Sequence, residues 1–122
     1  MKKWIKRLKP WMFENSKVPV WLSYISPIEI GAISFGPFVW SRGVMDDRLR
    51  RHETIHFHQQ LECLFIFQWI LYASFWAYGV VKHRGNGALA YYEIPFEKEA
   101  YSCQYNEKYL ENRPFFAWTR YI

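Results

Sequence analysis

The sequence predicts an α+β fold: two or three short strands ahead of residue 41, one long helix behind them, and a second helix near the end. Three observations carry that reading. Residues 18–41, VPVWLSYISPIEIGAISFGPFVWS, are rich in β-branched and aromatic side chains and are cut by Pro19, Pro27 and the Gly36-Pro37 pair. From Asp47 to Tyr78 there is no Gly, Pro or Asn. Pro95 then opens a further stretch suited to a helix.

The first stretch reads as strands at 19–25, 28–35 and 38–41, with a turn at Gly36-Pro37. Asp46 or Asp47 suits a helix N-cap, and a single helix is expected over 47–79. At ~1.5 Å per residue it would span about 50 Å, which is long for a chain of this size. Residues 82–94 hold Lys-His-Arg and a Gly-Asn-Gly turn and read as a loop. The last helix is expected at 95–111, with Pro95 in its first turn and Asn112 and Pro114 beyond its end. The aromatic end, FFAWTRYI, is expected to dock on the body.

A chain of 122 residues bounds the answer to one domain. We divide it into a basic amphipathic tail, 1–17, and a body, 18–122, with an apolar helical extension at 63–81. Seven Trp, nine Tyr and ten Phe demand a large interior, a partner surface or a membrane interface. The net charge of +5 comes from Lys2, Lys3, Lys6, Arg7 and Lys9, because the other eleven Lys and Arg balance the eleven Asp and Glu. Basicity confined to a tail argues against a nucleic-acid-binding domain, which spreads it over a folded face. Trp4, Ile5 and Leu8 would share one side of a short helix, which suits an anionic membrane surface. No secretory signal is evident, so a cytoplasmic location at the inner face of the membrane is expected. Cys63 and Cys103 have no metal-type spacing and read as free thiols.

His52-Glu53-Thr54-Ile55-His56 is an HExxH sequence inside the expected long helix. Residues four apart share a helix face, so His52 and His56 can offer two imidazoles to one cation. Neutral imidazole is a good zinc ligand, and two leave room for a third protein ligand and a water. Glu53 lies round the helix from His52, placed to take a proton from that water rather than to bind metal. The pattern does not resemble the metzincin arrangement, which has Gly at 59 and His at 62; this chain has Gln59 and Glu62, so the helix is expected to continue and to turn Glu62 away. The other arrangement takes a glutamate from a later helix, and here the chain offers Glu93-Ile94-Pro95-Phe96-Glu97-Lys98-Glu99-Ala100-Tyr101.

HExxH followed some forty residues later by E-x-E-A resembles the gluzincin metallopeptidases, the broad group that includes thermolysin. The resemblance implies a small zincin-like domain and places the third zinc ligand at Glu97, with Ala100 allowing close helix packing. Where that group often has an Asp orienting a ligand histidine, this chain has Tyr101. Arg50 and His58 also depart from the usual flanks of HExxH. A tighter resemblance is to small uncharacterised bacterial proteins that pair R-H-E-x-I-H-x-x-Q-Q-x-E with F-E-[KR]-E-A-Y, here Arg51 to Glu62 and Phe96 to Tyr101. Glu93, in the loop before Pro95, and Glu99, pointing about 200° away from Glu97 on a helix, are the rival third ligands.

Cys63 to Val81 is nineteen residues without a formal charge, long enough to span a bilayer. Spanning would leave His52 and His56 on one side and Glu97 on the other. The run is therefore expected to associate with a membrane surface or a second copy of the chain rather than to cross. The function expected is a zinc-dependent hydrolase, a peptidase, with Glu53 as general base and a peptide or protein substrate aligned on an edge strand within 28–41. Tyr101, Tyr105 and His83 are candidate oxyanion donors. The alternatives are a non-catalytic membrane-associated accessory or assembly protein, with or without a structural metal, and a hydrolase of lipids or amides.

Overall fold

The computed structural model describes residues 8–24 and 31–122. In chain order it contains β1 (Trp11–Phe13), α1 (Val18–Ser23), β2 (Ala32–Phe35), β3 (Phe38–Ser41), α2 (Asp47–Glu62), α3 (Ile66–Lys82), α4 (Gly87–Glu93), α5 (Pro95–Cys103), α6 (Tyr109–Asn112) and a 3-10 turn at Ala117–Tyr121. The class is the expected α+β, with helices predominating over a small sheet.

The sheet order is β1-β3-β2. β2 and β3 form an antiparallel hairpin in which Phe35 faces Phe38 across Gly36-Pro37. Gly36 has φ +57, and the proline that follows is locked at negative φ, the combination of a type II′ turn. β1 runs parallel to β3, with Trp11 opposite Phe38. The Arg42 N–H donates to the Gly31 carbonyl at 2.8 Å. In this register Gly31, Ile33 and Phe35 point their backbone groups at β3, and Ala32, Ser34 and Gly36 point theirs at the free edge. The free edge is closed at one end, where the Gly36 N–H donates to Gln60 Oε1 at 2.8 Å.

Several expectations need correction. Residues 19–23 of the expected strand at 19–25 lie in the helix α1, in which Pro19 occupies the first turn and Ser23 Oγ donates back to the Pro19 carbonyl. The β-branched composition was outweighed by proline's fit to a helix start. Of the strand expected at 28–35, Ala32–Phe35 is present, and the rest of that reading falls partly on residues 25–30, outside the described residues. The amphipathic reading of Trp4 and Ile5 lies outside them too. Residues 11–13, assigned to the tail, form β1.

The long helix is two helices. Asp46 caps α2, its Oδ1 accepting from the Leu49 N–H at 2.8 Å. After Glu62 the chain turns through 111° before α3. Leu64 and Phe65 make the turn at φ 54 and φ 60. Left-handed backbone at such residues costs about 1–3 kcal/mol each. The burial that follows offsets it, because the bend lays Leu71, Tyr72, Phe75 and Trp76 on a core of Cys63, Ile94, Phe96 and Trp118. Among the described residues no single helix is long and apolar enough to cross a membrane.

The expected loop 82–94 contains α4. The Gly-Asn-Gly sequence marks a helix start: Asn86 Oδ1 accepts from the Leu89 N–H at 3.0 Å. α4 lies close against α3 at Gly79, where a Cβ would come within 2.8 Å of Ala90 Cβ. Pro95 opens α5 as expected, but α5 stops at Cys103, and Tyr109–Asn112 is a separate turn. The aromatic end docks as expected, with the Trp118 and Phe96 rings 4.6 Å apart.

Candidate metal centre

α2 and α5 bring His52, His56 and Glu97 to one point. His56 Nε2 lies 3.2 Å from His52 Nε2 and 3.0 Å from Glu97 Oε1, and His52 Nε2 lies 3.3 Å from the same oxygen. A tetrahedral zinc site with bonds of ~2.0–2.1 Å sets its donors about 3.3 Å apart. The triangle therefore matches one face of such a site. All three side chains are buried.

The tautomers agree. Gln59 Nε2 donates to the Phe96 carbonyl and to Glu99 Oε1, each at 3.0 Å. Those two acceptors assign the amide, so Gln59 Oε1 faces His56 Nδ1 at 2.8 Å and accepts its proton. Gln104 does the same for His52. Its Oε1 takes a hydrogen bond from the Arg48 guanidinium at 3.2 Å and faces His52 Nδ1 at 2.8 Å. Each Nδ1 thus carries its hydrogen, and both Nε2 lone pairs turn toward Glu97, the arrangement a metal requires. Tyr72 completes the surround by donating its hydroxyl to Glu97 Oε2 at 2.8 Å.

In the metal-free chain His56 and Glu97 hold a proton between them. Burial would lower the affinity of His56 for it, but Glu97, together with Glu53 and Gln59, outweighs burial and pushes His56 up to about 10. Burial alone would raise the Glu97 carboxyl, and His56 and the hydrogen bonds from both imidazoles hold it well below the usual carboxylate range. Glu53 behaves oppositely: burial raises its carboxyl against the pull of His56 and His52. It is thus a stronger base than an ordinary carboxylate.

The rival ligands are engaged elsewhere. Glu93 holds His83 Nε2 at 2.5 Å, away from the triangle. Glu99 and Glu62 clamp Arg113: its Nε meets Glu99 Oε2 at 2.5 Å and its Nη1 meets Glu62 Oε2 at 2.6 Å. Tyr109 adds a hydrogen bond to Glu99 Oε2 at 2.7 Å. Glu62 is turned away from the histidines, as expected. The sequence reading missed Gln59, Gln104 and Tyr72. Gln59 had a usable signal, because it sits one helical turn beyond His56. Gln104 and Tyr72 had none, because tertiary packing alone brings them there.

The triangle and Glu53 line a cleft of about 1170 Å³. One wall is Gly31, Ala32, Ile33 and Ser34, the free edge of the sheet, and the other is aromatic, with Trp69, Tyr72, Trp76, Tyr91 and Tyr92. Tyr101 also lines it, edge-on to His52 with ring centres 4.5 Å apart and its hydroxyl 3.1 Å from that of Tyr91. Burial pushes the Tyr101 hydroxyl up to about 12, so it remains a donor at neutral pH. Of the other two candidate oxyanion donors, Tyr105 is exposed and His83 is paired with Glu93; neither is among the cleft-lining residues.

Comparison with protein-family profiles, with curated proteins and with solved structures finds no match to this chain.

Proposed function

We propose that the chain is a zinc-dependent hydrolase that cleaves peptide bonds, with His52, His56 and Glu97 holding the metal and Glu53 as general base. One observation carries the reading. Two imidazole lone pairs and a carboxylate oxygen, each set by its own hydrogen-bond partner, converge at tetrahedral spacing on the floor of a cleft. Zinc bound there would supply Lewis-acid polarisation, lowering the pKa of water to about 7.

The chain's own residues do the rest. Glu53 lines the cleft beside the triangle and takes the proton from the attacking water, its basicity raised by burial. Tyr72 holds the second oxygen of Glu97, leaving Oε1 aimed at the histidines. Ala32 and Ser34 line the cleft, and the hairpin register turns their backbone groups away from β3, toward an edge that no strand covers among the described residues. An extended peptide can pair there, which favours a peptide over a compact small molecule. Tyr101 is the donor best placed for the developing oxyanion.

A second reading draws on the burial of all three donors: a structural metal in a non-catalytic accessory protein. Elemental analysis of the purified chain and of His52→Ala and Glu97→Ala separates the cases. About one zinc per chain is expected, lost in both variants. Glu53→Gln is expected to keep zinc and lose peptide cleavage. A wild type that takes up no zinc sinks both readings, and cleavage that survives Glu53→Gln sinks the base. Unfolding on chelation, with no cleavage of any peptide by the loaded chain, would favour the structural role.

A further inference from the structure

We infer that one end of the molecule, formed by the β2–β3 hairpin tip and the α2–α3 bend, is a docking surface for an anionic membrane. The apolar part is exposed around the bend. Leu64, Ile66, Phe67 and Ile70 are 71, 70, 58 and 55% exposed, and they carry no charge among them. Scattered exposed apolar side chains are ordinary, but a contiguous set is an interaction surface. This set is contiguous with the hairpin tip. Phe35, also exposed, lies with its ring 5.9 Å from that of Trp69. An apolar groove of about 390 Å³ runs between them, lined by Phe35, Gly36, Phe65, Ile66, Trp69 and Ile70. Gln60 ties the end of α2 to the tip through the Gly36 N–H.

The bend that lays α3 on the core also sets these side chains outward. Leu64 and Phe65 are successive non-glycine residues at positive φ. One consequence is that Leu64, Ile66 and Phe67 point outward while α3 turns its other face to the core.

Charge selects the occupant. Trp11 pairs with Phe38, and its N–H donates to the Pro37 carbonyl at 2.8 Å, so β1 begins beside the hairpin tip. Trp11 is itself exposed. The residues before it include Lys2, Lys3, Lys6, Arg7 and Lys9, whose five charges equal the whole net charge of the chain. The chain therefore enters β1 at the end where the apolar side chains emerge, and the sequence ahead of that entry carries the positive charge. Apolar side chains with an aromatic fringe, on a chain whose preceding sequence is basic, are the combination that an anionic bilayer surface recognises. A second copy of this chain would bring the same positive charge to the contact, which disfavours self-association.

Flotation of the full chain with vesicles tests this: one set of phosphatidylcholine alone, one with added phosphatidylserine. Two variants accompany the wild type: Phe67→Glu with Ile70→Glu, and a chain with Lys2, Lys3, Lys6, Arg7 and Lys9 all changed to Gln. Circular dichroism confirms that each is folded. The wild type is expected to float with the anionic vesicles and not the neutral ones, and to be released by salt. Each variant is expected to lose on the order of tenfold or more in partitioning. No flotation of the wild type overturns the proposal. Undiminished flotation of the Phe67/Ile70 variant also overturns it, by showing that the tail acts alone. A wild type that sediments as a dimer without lipid, and is made monomeric by the Phe67/Ile70 change, would assign the surface to self-association instead. None of these outcomes depends on the metal or on catalysis.

Discussion

Gln59 and Glu99 meet at 3.0 Å, amide nitrogen to carboxylate oxygen, and that contact decides which nitrogen of His56 faces the candidate metal centre. With its nitrogen held by Glu99 and by the Phe96 carbonyl, Gln59 can show His56 only its oxygen. The motif supplies the histidine; a residue outside the motif supplies its tautomer.

Loss of either amide should therefore weaken metal binding without removing a ligand. Gln104→Leu and Gln59→Leu are each expected to lower zinc affinity by about 10–100-fold. Competition with a chromophoric chelator measures this. Unchanged affinity in both would show that the imidazoles need no such orientation.

Arg113 is buried between Glu62 and Glu99 and hydrogen-bonded to both. Arg113→Met leaves two buried carboxylates facing one another and should cost about 3–5 kcal/mol, read from urea unfolding. Arg113→Lys should recover only part of that, because an ammonium cannot reproduce the two-sided fork. Since Glu99 braces Gln59, Arg113→Met should also weaken zinc binding. A loss of stability with intact zinc affinity would disconnect the two.

The metal-free chain should have a definite pH profile. His56 is raised from 6.5 to about 10, so its contribution is full below about pH 6.5 and is lost as the pH climbs toward 10. Glu97 is depressed, so its contribution is present above about 4.5 and is lost as the pH falls. Glu53 is raised, and the stability it favours is lost as the pH rises through its folded value. Urea midpoints of the chelated protein should fall between about pH 6.5 and pH 10, and His56→Gln should flatten that fall. Zinc affinity should rise over the same range, because binding displaces the proton. A fall of the same size in His56→Gln would assign it to other groups.

At Gly79 a methyl group would collide with a neighbouring backbone and side chain, at 3.0 Å from Ala90 Cα and 2.8 Å from its Cβ. Gly79→Ala should cost about 1–3 kcal/mol by overpacking. Adding Ala90→Gly should recover part of the loss, a coupling that a double-mutant cycle measures. Additive losses would mean that the helices separate rather than clash.

The histidine pair was legible because its geometry is local: four residues along a helix is one face, whatever the surroundings. Glu97 was legible through a resemblance, and packing then separated it from Glu93 and Glu99 by pairing the first with His83 and the second with Arg113. The bend after Glu62 was not legible. No glycine or proline marks it, and two residues accept left-handed backbone because Phe96 and Trp118, more than thirty positions away, offer α3 a surface to cover. α4 was hidden for a simpler reason. Gly-Asn-Gly signals a turn or a helix cap equally well, and only the Leu89 amide decides between them. Pro19 was ambiguous in the same manner, between a strand breaker and a helix start.

The close approach of Gly79 to Ala90 makes the α3–α4 pair a ruler. The pair fixes the distance from the bend out and back, and thereby the position at which Pro95 starts α5 and Glu97 arrives. Forty residues that look like a spacer are a calibrated length. An insertion or deletion within 80–94 would leave every ligand in the sequence and move the third one out of reach. A search pattern for proteins of this type should thus specify the interval between His56 and Glu97 as strictly as it specifies the histidines.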